Sequence, residues 1–112
     1  MRKKDFKGRC EKRRLSKCDG ICRTYAPIQA ACADMLQADG RIREIRCNVL
    51  LEGLPEGAYT SDFVCIKTDG DMLVRECVQR KLLMKPMTVR LLDASKTYWH
   101  QRGVKDLGAS DR

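Results

Sequence analysis

Apolar residues first recur at helical spacing after Pro27: Ile28, Ala31, Cys32, Met35 and Leu36 fall at i, i+3, i+4, i+7 and i+8. That spacing predicts a helix over Pro27–Gln37 with one buried face, opened by the proline and stopped at Asp39-Gly40. The pattern then changes. Ile42 to Leu51 is rich in branched apolar residues, with Ile45, Val49 and Leu51 available for a strand ending at Gly53 and Pro55. Tyr59–Ile66 and Met72–Val78 read as two more strands, joined through Thr68-Asp69-Gly70-Asp71, where glycine accepts the positive φ of a hairpin turn. After Pro86 the helical period returns in Val89, Leu91, Leu92, Ala94, Tyr98 and Trp99, up to about Arg102, with Gly103 as its end. The two ends of the chain carry weaker patterns. Met1 to Tyr25 lacks a sustained amphipathic period and reads as an arm, within which Arg9 to Lys17 has room for a short helix. Val104 to Leu107 offers at most a short edge strand. The expectation is therefore an α/β domain ordered helix, three strands, helix over residues 26–112, preceded by an arm over residues 1–25.

With 112 residues, 43% of them hydrophobic, the chain has material for one core and not two. Its formal charge of +8 is unevenly spread. Residues 1–25 hold ten lysines and arginines against Asp5, Glu11 and Asp19, a net +7, which leaves +1 for the rest. A basic arm on a near-neutral body suits a polyanionic partner, because cations near phosphates release condensed counterions. Arg9, Lys12, Arg13, Arg14, Lys17 and Arg23 are the candidate nucleic-acid contacts, the alternative being a solvated tail that promotes solubility. No stretch approaches the roughly 18 to 20 apolar residues that span a bilayer, and Met1-Arg2-Lys3-Lys4 is not followed by an apolar signal region. A cytoplasmic protein without a membrane partner is expected. Seven cysteines then read as reduced thiols and not as a disulfide framework.

Cys10, Cys18 and Cys22 cluster in the arm, and with Cys47 from the body they make a candidate Zn²⁺ set, although no CxxC knuckle is present and free thiols are the alternative. Cys32, Cys65 and Cys77 lie within periodic elements and read as small core residues. His100, the one histidine, reads as a surface residue. Tyr98 and Trp99, at helical spacing, read as core and not as base-stacking platforms.

Asp62 and Glu76 flank the Asp69-Gly70 turn. Two carboxylates on neighbouring strands are the minimum needed to hold Mg²⁺ or Mn²⁺ against a phosphodiester, provided they meet. A two-residue loop, Asp69-Gly70, sets Asp62 opposite Cys77 and turns Glu76 to the other face. A three-residue loop, Asp69–Asp71, sets Asp62 opposite Val78 and on the face of Glu76.

The stretch Tyr59-Thr60-Ser61-Asp62-Phe63-Val64, then Asp69-Gly70, then Val74-Arg75-Glu76-Cys77-Val78 resembles the amino-terminal catalytic domain of TnsA-type transposon endonucleases, of the PD-(D/E)XK nuclease-like superfamily. In that family an aromatic, Thr, Pro, Asp and Phe are followed by a turn and an acid-x-Lys strand. The resemblance covers roughly residues 23 to 104 and implies a PD-(D/E)XK core with Asp62 and Glu76 as metal ligands. It also implies a DNA substrate and a partner transposase. The departures bear on activity. Ser61 stands where the family has Pro, Gln29 where the first helix carries a metal-associated Glu, and Val78 where the catalytic Lys belongs. Arg80 and Lys81 follow closely as candidate migrated cations. Asp62, Glu76, Gln29, Arg80 and Lys81 thus form the candidate catalytic set of a divalent-metal-dependent DNA endonuclease with an altered motif. Two of its four positions are changed, so an inactive pseudo-nuclease that binds nucleic acid is the expectation. The competing class is a non-catalytic phage or mobile-element protein that regulates a host nucleoprotein complex.

Overall fold

The computed structural model describes residues 11–55, 59–78 and 84–111, and its architecture is α/β, with two sheets and two helices. Strands β1 (Glu11–Arg14) and β2 (Ile21–Thr24) form an antiparallel hairpin. Helix α1 (Pro27–Ala38) follows, then the meander β3 (Ile42–Leu51), β4 (Tyr59–Lys67) and β5 (Met72–Val78). Helix α2 (Pro86–Gln101) returns the chain to β6 (Asp106–Asp111), which pairs parallel with β5. The larger sheet is ordered β3-β4-β5-β6. Parallel pairing of β5 and β6 requires a crossover connection, which α2 supplies.

Each helix covers one face of this sheet. Ile28, Cys32, Ala33 and Leu36 of α1 pack with Phe63, Cys65, Leu73 and Cys77, whereas Leu91 and Trp99 of α2 pack with Val64 and Val74. Neighbouring strand residues entering different clusters is the two-residue period of a sheet buried on both sides. Cys32, Cys65 and Cys77 are small core residues, as their periodic positions suggested.

Several expectations are corrected. Residues 11–14 are extended and not helical, and the arm continues into a hairpin whose Cys22 is fully buried in the α1-side core. Strand pairing between cation-rich segments left no apolar alternation to read. On α1, Met35 faces solvent, and on α2 the buried seam is Leu91, Ser95 and Trp99, with Val89 exposed. The end of the chain forms a fourth strand in the sheet, longer than the edge expected from Val104 to Leu107. Its attachment is partly ionic, since Asp106 bridges Lys67 at 2.9 Å and Arg75 at 2.9 Å.

The β4–β5 turn also differs from both expected registers. Gly70 N–H donates to Lys67 O and Lys67 N–H to Asp71 O, so the loop is Thr68-Asp69-Gly70 with Gly70 at φ 92°. Phe63 therefore pairs with Arg75, and by the same register Asp62 comes opposite Glu76.

Candidate functional site

The ladder opens where the two acids sit. Phe63↔Arg75 is the last β4–β5 pair toward this end of β4. Beyond it the carboxylates themselves accept the backbone protons: Cys77 N–H donates to Asp62 Oδ2 at 2.7 Å and Asp62 N–H to Glu76 Oε1 at 3.1 Å. Each acid thus ties down the strand that carries the other.

Register opposition alone would put both side chains on one face, but the strands change face here. Ile45 and Cys47 of β3 belong with the α1-side core, Val49 and Leu51 with the α2 side. Between them Asn48 adopts φ 54°, the left-handed conformation that asparagine tolerates better than most residues, and its amide donates to Arg23 O at 2.9 Å. On β4 the same switch separates Ser61, which meets Ser95 and Trp99 of α2, from Phe63, which packs beneath α1.

Asp62 therefore turns toward α1 and Glu76 toward α2. The Gln29 amide donates to Asp62 Oδ1 and its oxygen accepts Tyr25 N–H, so Gln29 binds the aspartate as a donor. Glu76 Oε1 also accepts the Tyr59 hydroxyl at 3.1 Å, and Oε2 accepts the hydroxyls of Ser61 and Ser95, each at 2.7 Å. Trp99 Nε1–H closes the set on Ser61 Oγ at 3.1 Å. Burial, reinforced by the charge of Glu76, pushes the Tyr59 phenol up, which keeps its proton in the bond to Glu76.

Asp62 is 1% exposed and Glu76 5%. All four carboxylate oxygens accept protein donors, and the two groups turn to opposite faces. A catalytic Mg²⁺ keeps several waters and demands near-octahedral oxygen ligation, so this donor set does not fit one as arranged. Val78, expected from the resemblance at a lysine position, is buried at 7% exposure. Arg80 and Lys81 lie outside the described residues. Tyr59, Ser61 and Ser95 were missed as partners of Glu76, and Trp99 as the donor to Ser61. Ser95 carried a signal, a hydroxyl midway between Leu91 and Trp99 on the buried stripe of α2.

The candidate phosphate contacts divide by the register of the β1–β2 hairpin. Lys12 pairs with Arg23 and Arg14 with Ile21, and cross-strand partners share a face, so Lys12, Arg14 and Arg23 stand together on the exposed side. They form no ion pair with the described residues. Arg13, opposite buried Cys22, turns inward and pairs with Asp34 of α1 at 2.6 Å, a contact that raises its pKa. Lys17 is also occupied, its ammonium donating to Asp39 O at 2.7 Å. Arg9 lies outside the described residues.

The hairpin loop carries Cys18 against β3, with Ile45 N–H donating to Lys17 O at 2.8 Å. Cys18, Cys22 and Cys47 converge there, all three sulfurs lying within 4.8 Å of one another, and this group could hold a metal ion. Cys10, the fourth member of the expected set, is outside the described residues. Hydrogen bonding from Cys47 lowers the Cys22 thiol to about 7, helped by Cys18 and the Arg13 charge. Burial raises Cys18, and its bond to Cys22 together with burial raises Cys47. His100 is exposed and Trp99 is core, while Tyr98 lies against Trp99 edge-on with the Arg102 guanidinium over its ring. Among the described residues no helix is long and apolar enough to cross a membrane.

Comparison of the chain with protein-family models and with curated proteins finds no match.

Proposed function

We propose that this chain is a nucleic-acid-binding domain built on a PD-(D/E)XK-like core, of the TnsA type it resembles, in which the nuclease acids serve the fold and not cleavage. The order helix, three antiparallel strands, helix and a further strand parallel to the third supports the core assignment. Asp62 and Glu76, buried, turned to opposite faces and with every carboxylate oxygen accepting a protein donor, support the loss of metal chemistry. Of the two metal sites the sequence suggested, we assign zinc to the thiol group and neither Mg²⁺ nor Mn²⁺ to the acids. The partner class that goes with the resemblance is a transposase or another nucleoprotein assembly of a mobile element or phage.

One observation carries the binding function: strand pairing gathers Lys12, Arg14 and Arg23 on one exposed face, while Arg13 and Lys17 turn inward to hold the hairpin in place. Cations displayed this way neutralise phosphates without reading bases, so DNA duplexes of different sequence should bind alike, and more weakly as salt rises. The test is fluorescence anisotropy with labelled duplexes, alongside incubation of plasmid with the protein and Mg²⁺ or Mn²⁺. Salt-sensitive binding without cleavage is expected. Cleavage that Asp62→Ala abolishes while the variant stays folded by circular dichroism would overturn the non-catalytic reading. Selective co-purification with a protein, with no affinity for free DNA at low salt, would overturn the binding reading.

A further inference from the structure

Cys18 Sγ and Cys47 Sγ lie 3.8 Å apart. Disulfide sulfurs sit at about 2.05 Å, so this pair is not bonded. In a zinc tetrahedron with Zn–S bonds of about 2.3 Å, however, the edge joining two sulfurs is about 3.8 Å long. Cys22 Sγ completes a triangle with all edges within 4.8 Å. The chain reaches this arrangement through Asp19-Gly20-Ile21, where Gly20 takes φ 123°, a conformation side chains strongly disfavour, and so turns Cys22 back toward Cys18. An open cleft of about 330 Å³ borders the triangle, lined by Cys18, Cys47, Asp19 and Glu44 among others.

From this geometry we propose that Cys18, Cys22 and Cys47 bind one zinc ion as three thiolates, with the fourth coordination position facing the cleft, and that the ion clasps the basic hairpin to β3. Thiolate sulfur favours a thiophilic d¹⁰ ion over Mg²⁺ or Ca²⁺, which take oxygen ligands. Binding releases the protons still held by the three thiols and involves no electron transfer. Two ligands come from the hairpin and one from the sheet, so the ion bridges two parts of the chain that also meet through the buried Cys22 and through polar contacts such as Ile45 N–H to Lys17 O and Asn48 to Arg23 O. The site extends the zinc assignment above a bare cluster of thiols and is independent of whether the hairpin binds nucleic acid.

Cobalt(II) is the spectroscopic probe for the full chain purified under reducing conditions. One equivalent should produce thiolate-to-cobalt charge-transfer absorption, which one equivalent of zinc should abolish. Cys47→Ser should lose that absorption. Should this variant fail to fold, counting alkylated thiols in the wild-type chain gives the same information: zinc should protect three, identified by peptide mapping as Cys18, Cys22 and Cys47. Hydrogen exchange then reads the clasp, since removing zinc should lower protection of the Ile45 amide while leaving that of Val64, in the centre of the sheet, unchanged. Absence of stoichiometric binding, or protection of a different set of thiols, would overturn the site. Stoichiometric binding with no change at Ile45 would overturn the clasp. Loss of duplex binding with the metal signature intact would instead count against the nucleic-acid reading alone.

Discussion

Glu76 is buried among hydrogen-bond donors that β4 and α2 supply. Its carboxylate accepts three hydroxyls and one backbone N–H inside the protein, and hydrogen bonds to a charged group contribute about 1.5–3 kcal/mol each. Removing one donor leaves the others in place, so Ser95→Ala should cost about 1–2 kcal/mol, read as a lower urea midpoint at unchanged slope. Asp62→Ala should cost about 3 kcal/mol or more, because it strands the Cys77 N–H and the Gln29 amide in the core. An Asp62→Ala protein of unchanged stability would show that the aspartate is not needed by the fold. Gln29, Asp62 and Glu76, three of the five residues singled out through the resemblance, are linked by hydrogen bonds in the fold. Their geometry was not legible in the sequence, because the strands change face at this end of the sheet, beside the left-handed Asn48 of β3, and nothing in the apolar pattern announces it.

At the scale of elements, α1, β3, β4, β5 and α2 were legible because each buries a periodic apolar face, and periodicity is the one long-range signal a single sequence carries. The other three strands lack it. β1 and β2 present cations outward and are held by strand pairing, by Arg13 to Asp34 and by the buried Cys22. β6, with the sequence DLGASD, is held by its parallel ladder and by the Lys67, Asp106 and Arg75 bridge. Lys67, and after it Arg75, lowers the pKa of Asp106 below its ordinary value. A carboxyl depressed on folding stabilises the protein fully above its unfolded pKa of about 3.9, and this contribution is lost as pH falls through the lower folded value. Asp106→Asn should therefore cost about 1 kcal/mol at neutral pH, in the range of a partly exposed ion pair. The difference from wild type in urea midpoint should shrink as pH drops below about 4. A gap that persists undiminished in acid would show that the side chain acts through packing and not through charge.

For the molecule as a whole, the uneven charge becomes a shape. Residues 1–25 carry a net +7, and the described part of that segment folds onto α1 and β3 with some of its cations consumed inward and others displayed. Sequence gave the excess of positive charge but not this division, which depends on the Lys12↔Arg23 and Arg13↔Cys22 register. The fold places the hairpin against the domain with polar contacts at both of its strands. The decisive measurement is the salt dependence of duplex binding for the wild-type chain and for the combined variant Lys12→Ala, Arg14→Ala, Arg23→Ala, both checked for folding by circular dichroism. In a plot of log K against log salt concentration the variant's slope should be shallower by about 0.9 for each phosphate contact removed. Equal slopes for two folded proteins would contradict the assignment of this face as the nucleic-acid interface.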